Sequence, residues 1–245
     1  MSKIKLFCFP YAGGSAAVYS RWQSYFKQPY GIEIVPVELT GRGKRILEPL
    51  YRDLPHAVDD LYNLIRDDIR DGPYAFFGHS LGSLLIYELA QKIRRMEVAQ
   101  PLHLFFSGRG APNIEYTPMN YHLMSDQEFK EEVIRLGGTP QEFFDHPELT
   151  EIFLPFLKND FRLAETDTSK RKLDPFNCNI SMFTGKEDYR VCQAQVDAWA
   201  AHTTANCAVH YMDGGHFFLH HKIPEIAELI IKALRRQVQP NVGFY

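Results

Sequence analysis

Short apolar runs alternate along this chain with longer stretches in which apolar residues recur at helical spacing. Each run has five to eight residues and stops close to a glycine, which is typical of a strand that enters a turn. The runs predict six strands, over residues 4–9, 32–39, 74–78, 102–107, 180–184 and 208–212. The longer stretches predict helices over residues 54–69, 81–96, 191–201 and 223–236. In the first helix, the predicted buried stripe consists of Leu54, Val58, Leu61, Leu64 and Ile65. This alternation indicates an α/β fold with a mostly parallel central sheet and helices on both faces.

One segment of about 60 residues breaks the alternation, because residues 112–174 carry helix signals and no strand signal. Ser125 and Glu128 predict a capping box at the start of a helix, and Gly137 ends that helix. Similar starts follow at residues 139–142 and 145–148. We predict a core formed by residues 1–111 and 175–245, with a helical lid inserted at residues 112–174. In the alternative, these helices only cover the sheet.

Composition and charge exclude several classes of protein. The 245 residues are 45% hydrophobic and 23% charged, which excludes global disorder. A formal net charge of −3 gives no support for nucleic-acid binding. No apolar run approaches the roughly 20 residues of a membrane span, and the first run is too short for a secretory signal. The four cysteines are widely spaced in the sequence, at Cys8, Cys178, Cys192 and Cys207. This spacing predicts neither a disulfide framework nor a zinc site, and it favours reduced thiols in the cytoplasm.

Residues 78–82 read Gly-His-Ser-Leu-Gly and match the pattern G-x-S-x-G between a predicted strand and a predicted helix. This is the setting of a nucleophile elbow, a sharp turn that exposes the serine hydroxyl. The helix N-terminus favours negative charge that develops beside it. We predict that Ser80 is a catalytic nucleophile, the alternative being a structural serine that caps the helix. His79, locked into the same turn, is expected to be structural.

A serine nucleophile needs a general base, and the base needs an acid that orients it. In the fold that carries a nucleophile elbow, the chain order is serine, acid, histidine. Asp188 and His216 each follow a late predicted strand, so both are expected at the sheet edge where the strands end. We predict that Ser80, Asp188 and His216 are the catalytic residues, with Glu187 and Asp213 as competing acids.

The oxyanion of a tetrahedral intermediate needs backbone N–H donors. The residue after the nucleophile, Leu81, is predicted to supply one of them. The loop after the first strand, residues 9–14, is predicted to supply the other through Ala12, with Tyr11 as an alternative. An ordinary Gly-Gly turn is the structural alternative for this loop. No metal or cofactor site is predicted.

Five short segments carry a resemblance to a known enzyme family. They read FPYAGG at 9–14, LTGRGKR at 39–45, GHSLG at 78–82, LGGTP at 136–140 and DGGHFFL at 213–219. Together they resemble the type II thioesterases, the free-standing editing thioesterases of nonribosomal peptide and polyketide synthesis. The resemblance extends from about residue 6 to residue 234 and includes the insertion. Thr40 departs from the family, which usually has proline there, and residues 238–245 have no counterpart.

The resemblance implies an α/β-hydrolase fold with a helical lid. It also implies hydrolysis of acyl groups from the phosphopantetheine arm of acyl or peptidyl carrier proteins, the domains of a synthetase or synthase. The positions that match the family's triad are Ser80, Asp188 and His216. The resemblance implies no cofactor beyond the partner's phosphopantetheine. The chain is expected to be a monomer without nucleic-acid or membrane partners.

Two other functions fit part of the pattern. A general serine carboxylesterase or lipase acting on small oxygen esters would have the same motifs, and a non-catalytic binding protein could share the fold. The segment at 40–44 lacks the sequence of a phosphate loop and is expected to be a loop with exposed charges. Because carrier proteins are often acidic, the candidate docking residues are Arg21, Arg42, Lys44 and Arg45.

Overall fold

The computed structural model describes residues 3–26, 31–115, 117–139 and 144–238 and has a six-stranded sheet at its centre. The strands are Ile4–Phe9 (β1), Ile32–Pro36 (β2), Tyr74–His79 (β3), His103–Ser107 (β4), Asn179–Gly185 (β5) and Cys207–Met212 (β6). Their order across the sheet is β2-β1-β3-β4-β5-β6, and every neighbouring pair is parallel. The predicted α/β fold with a parallel sheet is confirmed.

The strand order reverses at β1, which lies between β2 and β3. Crevices at such switch points are the usual ligand sites of open α/β sheets. The register places Phe9 beside Gly78, so the loop that follows β1 begins next to the turn that follows β3. The fold therefore brings two predicted site segments together.

Helices cover both faces of the sheet. They are Leu54–Arg70 (α1), Leu81–Arg95 (α2), Asp126–Leu136 (α3), Pro147–Ala164 (α4), Gln193–Asp197 (α5) and Ile223–Val238 (α6). Because successive strand residues point to opposite faces, β1 contributes Phe7 and Phe9 to one layer and Leu6 and Cys8 to the other. The first layer contains α1 and α2, and the second contains α6. No helix in the described part of the chain has the length and apolar character needed to cross a membrane.

The chain between β4 and β5 contains α3 and α4 and, among its described residues, no strand. Ser125 caps α3 with the predicted capping box, and Gly137 ends it in a left-handed conformation with φ +82°. Aromatic side chains of both helices, among them Phe129, Phe153 and Phe161, pack into a third apolar cluster. The predicted helix start at 139–142 falls largely outside the described residues, and the division into a core and a lid stays a prediction.

Three details differ from the sequence-based expectations. The strand expected over 32–39 ends at Pro36, and the pairing with β1 stops after the Val37 N–H, which donates to the Cys8 carbonyl at 2.9 Å. The helix expected over 191–201 is short, since α5 gives way to a 3-10 helix over Ala198–His202. Leu64 was expected to be buried but is 50% exposed. At 100° per residue it lies about 90° from the centre of the stripe that the other four residues form.

Candidate active site

The turn from β3 into α2 holds Ser80 in a strained backbone conformation. Its φ is +54° and its ψ is −109°, outside the regions that residues with side chains usually occupy. The serine side chain makes no capping hydrogen bond to α2, which contradicts the alternative of a helix cap. The Ser80 N–H donates to the Ser107 carbonyl of β4 at 2.8 Å. The backbone is thus fixed while the hydroxyl is left unused by the helix.

Two glycines make this turn possible, because the backbone crosses itself at contact distance. A Cβ on Gly78 would lie 2.3 Å from the carbonyl oxygen of Gly82. A Cβ on Gly82 would lie 2.2 Å from the carbonyl oxygen of Phe9 at the end of β1. Both distances are far shorter than any real contact of a Cβ atom. The two glycines of the G-x-S-x-G motif therefore serve backbone packing.

Ser83, which sequence reasoning missed, ties the turn to the sheet. Its buried hydroxyl lies 2.7 Å from the Gly78 carbonyl oxygen and 2.9 Å from the Ser107 carbonyl oxygen, and it accepts a hydrogen bond from the Ser107 N–H at 2.9 Å. The available signal was a small polar residue inside an otherwise apolar helix start. We infer that this hydroxyl stabilises the strained conformation of Ser80.

The loops after β5 and β6 bring Asp188 and His216 into contact. His216 Nδ1 lies 2.7 Å from Asp188 Oδ2, and both side chains are buried. The other carboxylate oxygen accepts a hydrogen bond from the Arg190 N–H at 3.1 Å. The loops approach closely because of Gly185, where a Cβ would lie 2.4 Å from the Gly214 carbonyl oxygen. The structure thus unites two residues that the sequence places 28 positions apart.

The competing acids do not share this arrangement. Asp213 lies at the surface, where its carboxylate pairs with Lys186 Nζ at 2.6 Å. The nearby lysine charges lower the pKa of Asp213. Glu187 is exposed, and its backbone N–H donates to Gly214. Of the three candidate acids, Asp188 is the one hydrogen-bonded to His216.

Burial controls the protonation of the histidines beside the turn. It lowers the pKa of His216, although the hydrogen bond to Asp188 acts in the opposite direction. Burial also lowers the pKa of His79 well below its ordinary value, helped by the neighbouring rings of His216 and His220. His79 Nδ1 lies 2.8 Å from Ser107 Oγ, and its ring centroid is 5.1 Å from that of His216. His79 is therefore a neutral packing partner, as expected.

Both predicted oxyanion donors are neighbours of Ser80. Leu81 begins α2 directly after it, and Ala12 lines a small cavity together with it. No hydrogen bond between described residues engages the N–H of Ala12 or of Leu81. Tyr11 does not line that cavity; its ring packs against Phe217, and its hydroxyl lies 3.0 Å from His220 Nε2. This arrangement favours Ala12 over Tyr11 as the second donor.

Two cavities meet at Ser80. The larger, of about 280 Å³, is lined by Ser80, His216, Arg109, Glu165 and Tyr189, among others. The smaller, of about 30 Å³, is lined mainly by apolar side chains, several of them from the third cluster. Ser80 and His216 share the larger cavity, but the described residues show no hydrogen bond between them. Such a contact is often long in a site without substrate and tightens when substrate binds.

Comparison with known proteins identifies the family. A family model described as "Thioesterase domain" matches residues 4–234. The chain belongs to the thioesterase family. The thioesterase is 37% identical over 241 residues to the gramicidin S biosynthesis protein GrsT of Aneurinibacillus migulanus, covering 98% of this chain and 93% of that protein. It is a serine-type hydrolase of thioesters, as predicted.

Solved structures agree with this assignment. ClbQ from the colibactin NRPS/PKS pathway superimposes with a TM-score of 0.90 at 36% identity, covering 97% of this chain and 99% of that one. The type II thioesterase BorB from the borrelidin biosynthetic cluster gives a TM-score of 0.85 at 32% identity, covering 95% and 93%. The resemblance to type II thioesterases and the α/β-hydrolase fold are therefore confirmed.

The segment after β2 corrects one expectation about the thioesterase. Arg42 was expected to be an exposed charge and a docking candidate, but it is 3% exposed and pairs with Asp160 of α4. Arg45 is half-buried and pairs with Asp60 and Glu48. Arg21 and Lys44 are exposed, as expected. The prediction that Arg42 belongs to a basic docking surface is therefore wrong.

The described residues of the thioesterase contain no candidate metal site. Among residues 3–26, 31–115, 117–139 and 144–238, no group of three His, Cys, Asp or Glu side chains is arranged to hold a metal ion. The expectation that the enzyme needs no cofactor stays a prediction.

Proposed function

We propose that Ser80, His216 and Asp188 form the catalytic triad of an editing thioesterase that acts on acyl groups bound to carrier proteins. The observation that carries this proposal is the buried hydrogen bond of 2.7 Å between His216 and Asp188, at a cavity that also contains the strained Ser80. The biosynthetic pathways named for GrsT and ClbQ support a carrier-bound substrate.

The reaction proceeds in two acyl transfers. His216 Nε2 takes the proton of Ser80 as Oγ bonds to the thioester carbonyl carbon, and the carbonyl electrons move onto oxygen. The N–H groups of Leu81 and Ala12 donate to that oxyanion. The C–S bond then breaks, and the pantetheine thiolate takes the proton from the imidazolium. Water attacks the acyl-serine as His216 accepts its proton, and Ser80 regains a proton when the carboxylic acid leaves.

Asp188 keeps the base in the productive state. By accepting the Nδ1–H of His216, it leaves Nε2 as the proton acceptor, and it stabilises the imidazolium that forms. Burial lowers the pKa of His216, so the imidazole is neutral at neutral pH. The geometry and the protonation state therefore suit general-base catalysis.

The two cavities suit the two ends of the substrate. The larger, more polar one takes the pantetheine arm, and the small apolar one takes the acyl group. A volume of about 30 Å³ accommodates roughly two water-sized groups, so a short acyl chain such as acetyl fits. We expect acetyl-carrier to be hydrolysed faster than octanoyl-carrier, as measured by mass spectrometry of the carrier. Faster octanoyl hydrolysis would refute this division of the site.

Hydrolysis of an acetyl-loaded carrier protein tests the proposed triad. Release of the carrier thiol should fall to background in Ser80→Ala and stay normal in Ser20→Ala, a matched change at an exposed serine. A fluorophosphonate probe should label the wild type and Ser20→Ala but not Ser80→Ala. Wild-type turnover by folded Ser80→Ala would refute the proposal.

A direct comparison separates a carrier thioesterase from a general esterase. Carrier-bound acetyl and an acetyl oxygen ester are offered at equal concentration, and a higher kcat/KM for the carrier is expected. Met119 and Tyr189 line the larger cavity yet are 54% and 70% exposed, which suits contact with a docked protein. Tyr189→Ala should raise KM for the carrier substrate and leave KM for a small pantetheine thioester unchanged. Equal effects on both would argue against docking at this rim.

A further inference from the structure

A fully buried ion pair links α4 to the loop after β2. Arg42 donates two hydrogen bonds to Asp160, from Nη1 to Oδ2 at 2.6 Å and from Nη2 to Oδ1 at 2.7 Å. The side chains are 4% and 0% exposed, and the residues are 118 positions apart in the chain. The guanidinium also lies 4.5 Å from the ring centre of Phe156, one turn earlier in α4. Burying such a pair is costly unless further hydrogen bonds satisfy both charges.

Those further hydrogen bonds come from the loop that is proposed to hold the oxyanion. Asp160 Oδ2 accepts the N–H of Gly13 at 2.8 Å. Arg42 Nη1 donates to the carbonyl of Gly14 at 3.0 Å. The ion pair therefore holds two peptide units of this loop, Ala12–Gly13 through its N–H and Gly14–Ser15 through its carbonyl.

The same loop is fitted tightly against α4. Gly13 has a φ of +82°, and a Cβ there would lie 2.6 Å from Leu157 Cδ1 and 3.3 Å from Phe153 Cζ. Ala12 itself packs against the apolar cluster that contains these side chains. The position of the loop is thus set by α4, through both packing and charge-assisted hydrogen bonds.

We propose that Asp160 and Arg42 are positioning residues that hold the Ala12 N–H in the geometry needed to bind the oxyanion. Neither side chain touches the reacting atoms, and both act through the backbone of Gly13 and Gly14. Loss of these two hydrogen bonds would free the loop to move and would displace the Ala12 N–H from the oxyanion position. This inference rests on the proposed function, in which Ala12 is a donor and Ser80 the nucleophile.

The double variant Arg42→Met with Asp160→Leu tests this role. It removes the acceptor for the Gly13 N–H without leaving a lone buried charge, so it is expected to fold better than Asp160→Leu alone. We expect kcat for an acetyl pantetheine thioester to fall about 10²–10³-fold, the loss typical of one oxyanion donor, with KM changed by less than about threefold. A folded double variant with wild-type kcat would overturn the proposal.

Binding of an alkyl boronic acid gives a readout that a purely structural role would not change. Boron bonds to Ser80 Oγ and forms a tetrahedral adduct whose oxygen occupies the oxyanion position. The Kd of the adduct should rise by the same factor as kcat falls, since both depend on the same donors. Unchanged boronate affinity alongside reduced kcat would also overturn the proposal.

A conservative variant keeps the test valid if the double variant does not fold. Asp160→Asn preserves the side-chain volume but removes the charge, so kcat and boronate affinity should each fall about tenfold or more. Unchanged values in folded Asp160→Asn would refute the role of the carboxylate. The matched control is Lys158→Met, which breaks a different ion pair of α4, the 2.7 Å contact between Lys158 Nζ and Asp126 Oδ1. Neither side chain is hydrogen-bonded to the described loop after β1, so kcat and boronate affinity should stay unchanged.

Failure of this inference can be distinguished from failure of the proposed function. If Ser80→Ala is inactive and the ion-pair variants have wild-type kcat and boronate affinity, only the positioning role is wrong. If folded Ser80→Ala retains activity, the nucleophile itself is wrong.

Discussion

Replacing Gly82 with alanine tests whether the close crossing of the turn and β1 controls both stability and catalysis. The added methyl would lie 2.2 Å from the Phe9 carbonyl oxygen and 3.0 Å from the Pro10 carbonyl oxygen. Both obstacles are backbone atoms, which cannot rotate away as a side chain could. An ordinary contact would require the start of α2 to move by about 1 Å away from β1.

The expected magnitude follows from two opposing effects. Alanine in place of glycine normally stabilises a helix by about 1 kcal/mol. Overpacking against rigid surroundings costs about 1–3 kcal/mol, and contact with two backbone carbonyls places this site at or above the upper end. The net expectation is a loss of about 2 kcal/mol in the free energy of unfolding, which for a chain of this size lowers Tm by roughly 4–8 °C. The N–H of Leu81 moves with the helix, so kcat should fall about 10²-fold.

Thermal unfolding and thioester turnover measure the two effects, the latter at a temperature where every variant is folded. Gly215→Ala is the matched control for stability, because the nearest atom to its Cβ, the Glu187 carbonyl oxygen, is 3.8 Å away. Its Tm should change by no more than about 2 °C. A Gly82→Ala enzyme as stable as the wild type, with unchanged kcat, would refute the reasoning about this crossing.

Four further predictions follow from the buried and exposed titratable groups. Asp188→Asn should lower kcat about 10³–10⁴-fold with an unchanged circular dichroism spectrum, and a loss below tenfold would contradict its role. Because burial lowers the pKa of His216 below 6.5, kcat/KM should fall only as pH drops below 6.5; a midpoint above that value would contradict a neutral, buried base. Burial lowers the pKa of His103 to about 3, so the unfolded chain binds a proton below pH 6.5 while the folded state does not. The free energy of unfolding is therefore at its full value above pH 6.5 and decreases by about 1.4 kcal/mol per pH unit as pH falls from 6.5 to about 3. Urea unfolding measured at several pH values should show that His103→Gln lacks this contribution to the slope. Iodoacetamide should alkylate the exposed Cys192 in the folded enzyme and spare Cys8, because burial raises the pKa of that thiol well above 9; peptide mass mapping that finds Cys8 modified first would contradict this.

The three catalytic residues that the sequence predicts share a local signal. Each of Ser80, Asp188 and His216 lies within about four residues of the end of a strand, and parallel strands bring such ends to one edge of the sheet. The glycines at 78 and 82 mark the turn because only they allow the backbone to cross itself. Chain order and strand ends were therefore enough to bring Asp188 and His216 together.

The residues that the sequence did not locate depend on contacts between distant segments. Arg42 stands among glycines and basic residues, a composition typical of an exposed loop, and its partner Asp160 lies in an amphipathic helix 118 positions later. Nothing periodic relates them, because their meeting depends on how α4 lies across the sheet. Ser83 and Ser107 were missed for the same reason, since a single polar residue in an apolar run has many possible partners.

The buried pair of Arg42 and Asp160 constrains how enzymes of this architecture can be recombined. An exchange of residues 112–174 between relatives, made to alter substrate range, would replace Asp160 while leaving Arg42 in place. A donor segment without a carboxylate at that position would leave a guanidinium buried alone, and the chimera would lose stability before its acyl preference could be measured. Grafts of this segment should therefore be chosen together with the residue at position 42, so that the two segments are transferred as one unit.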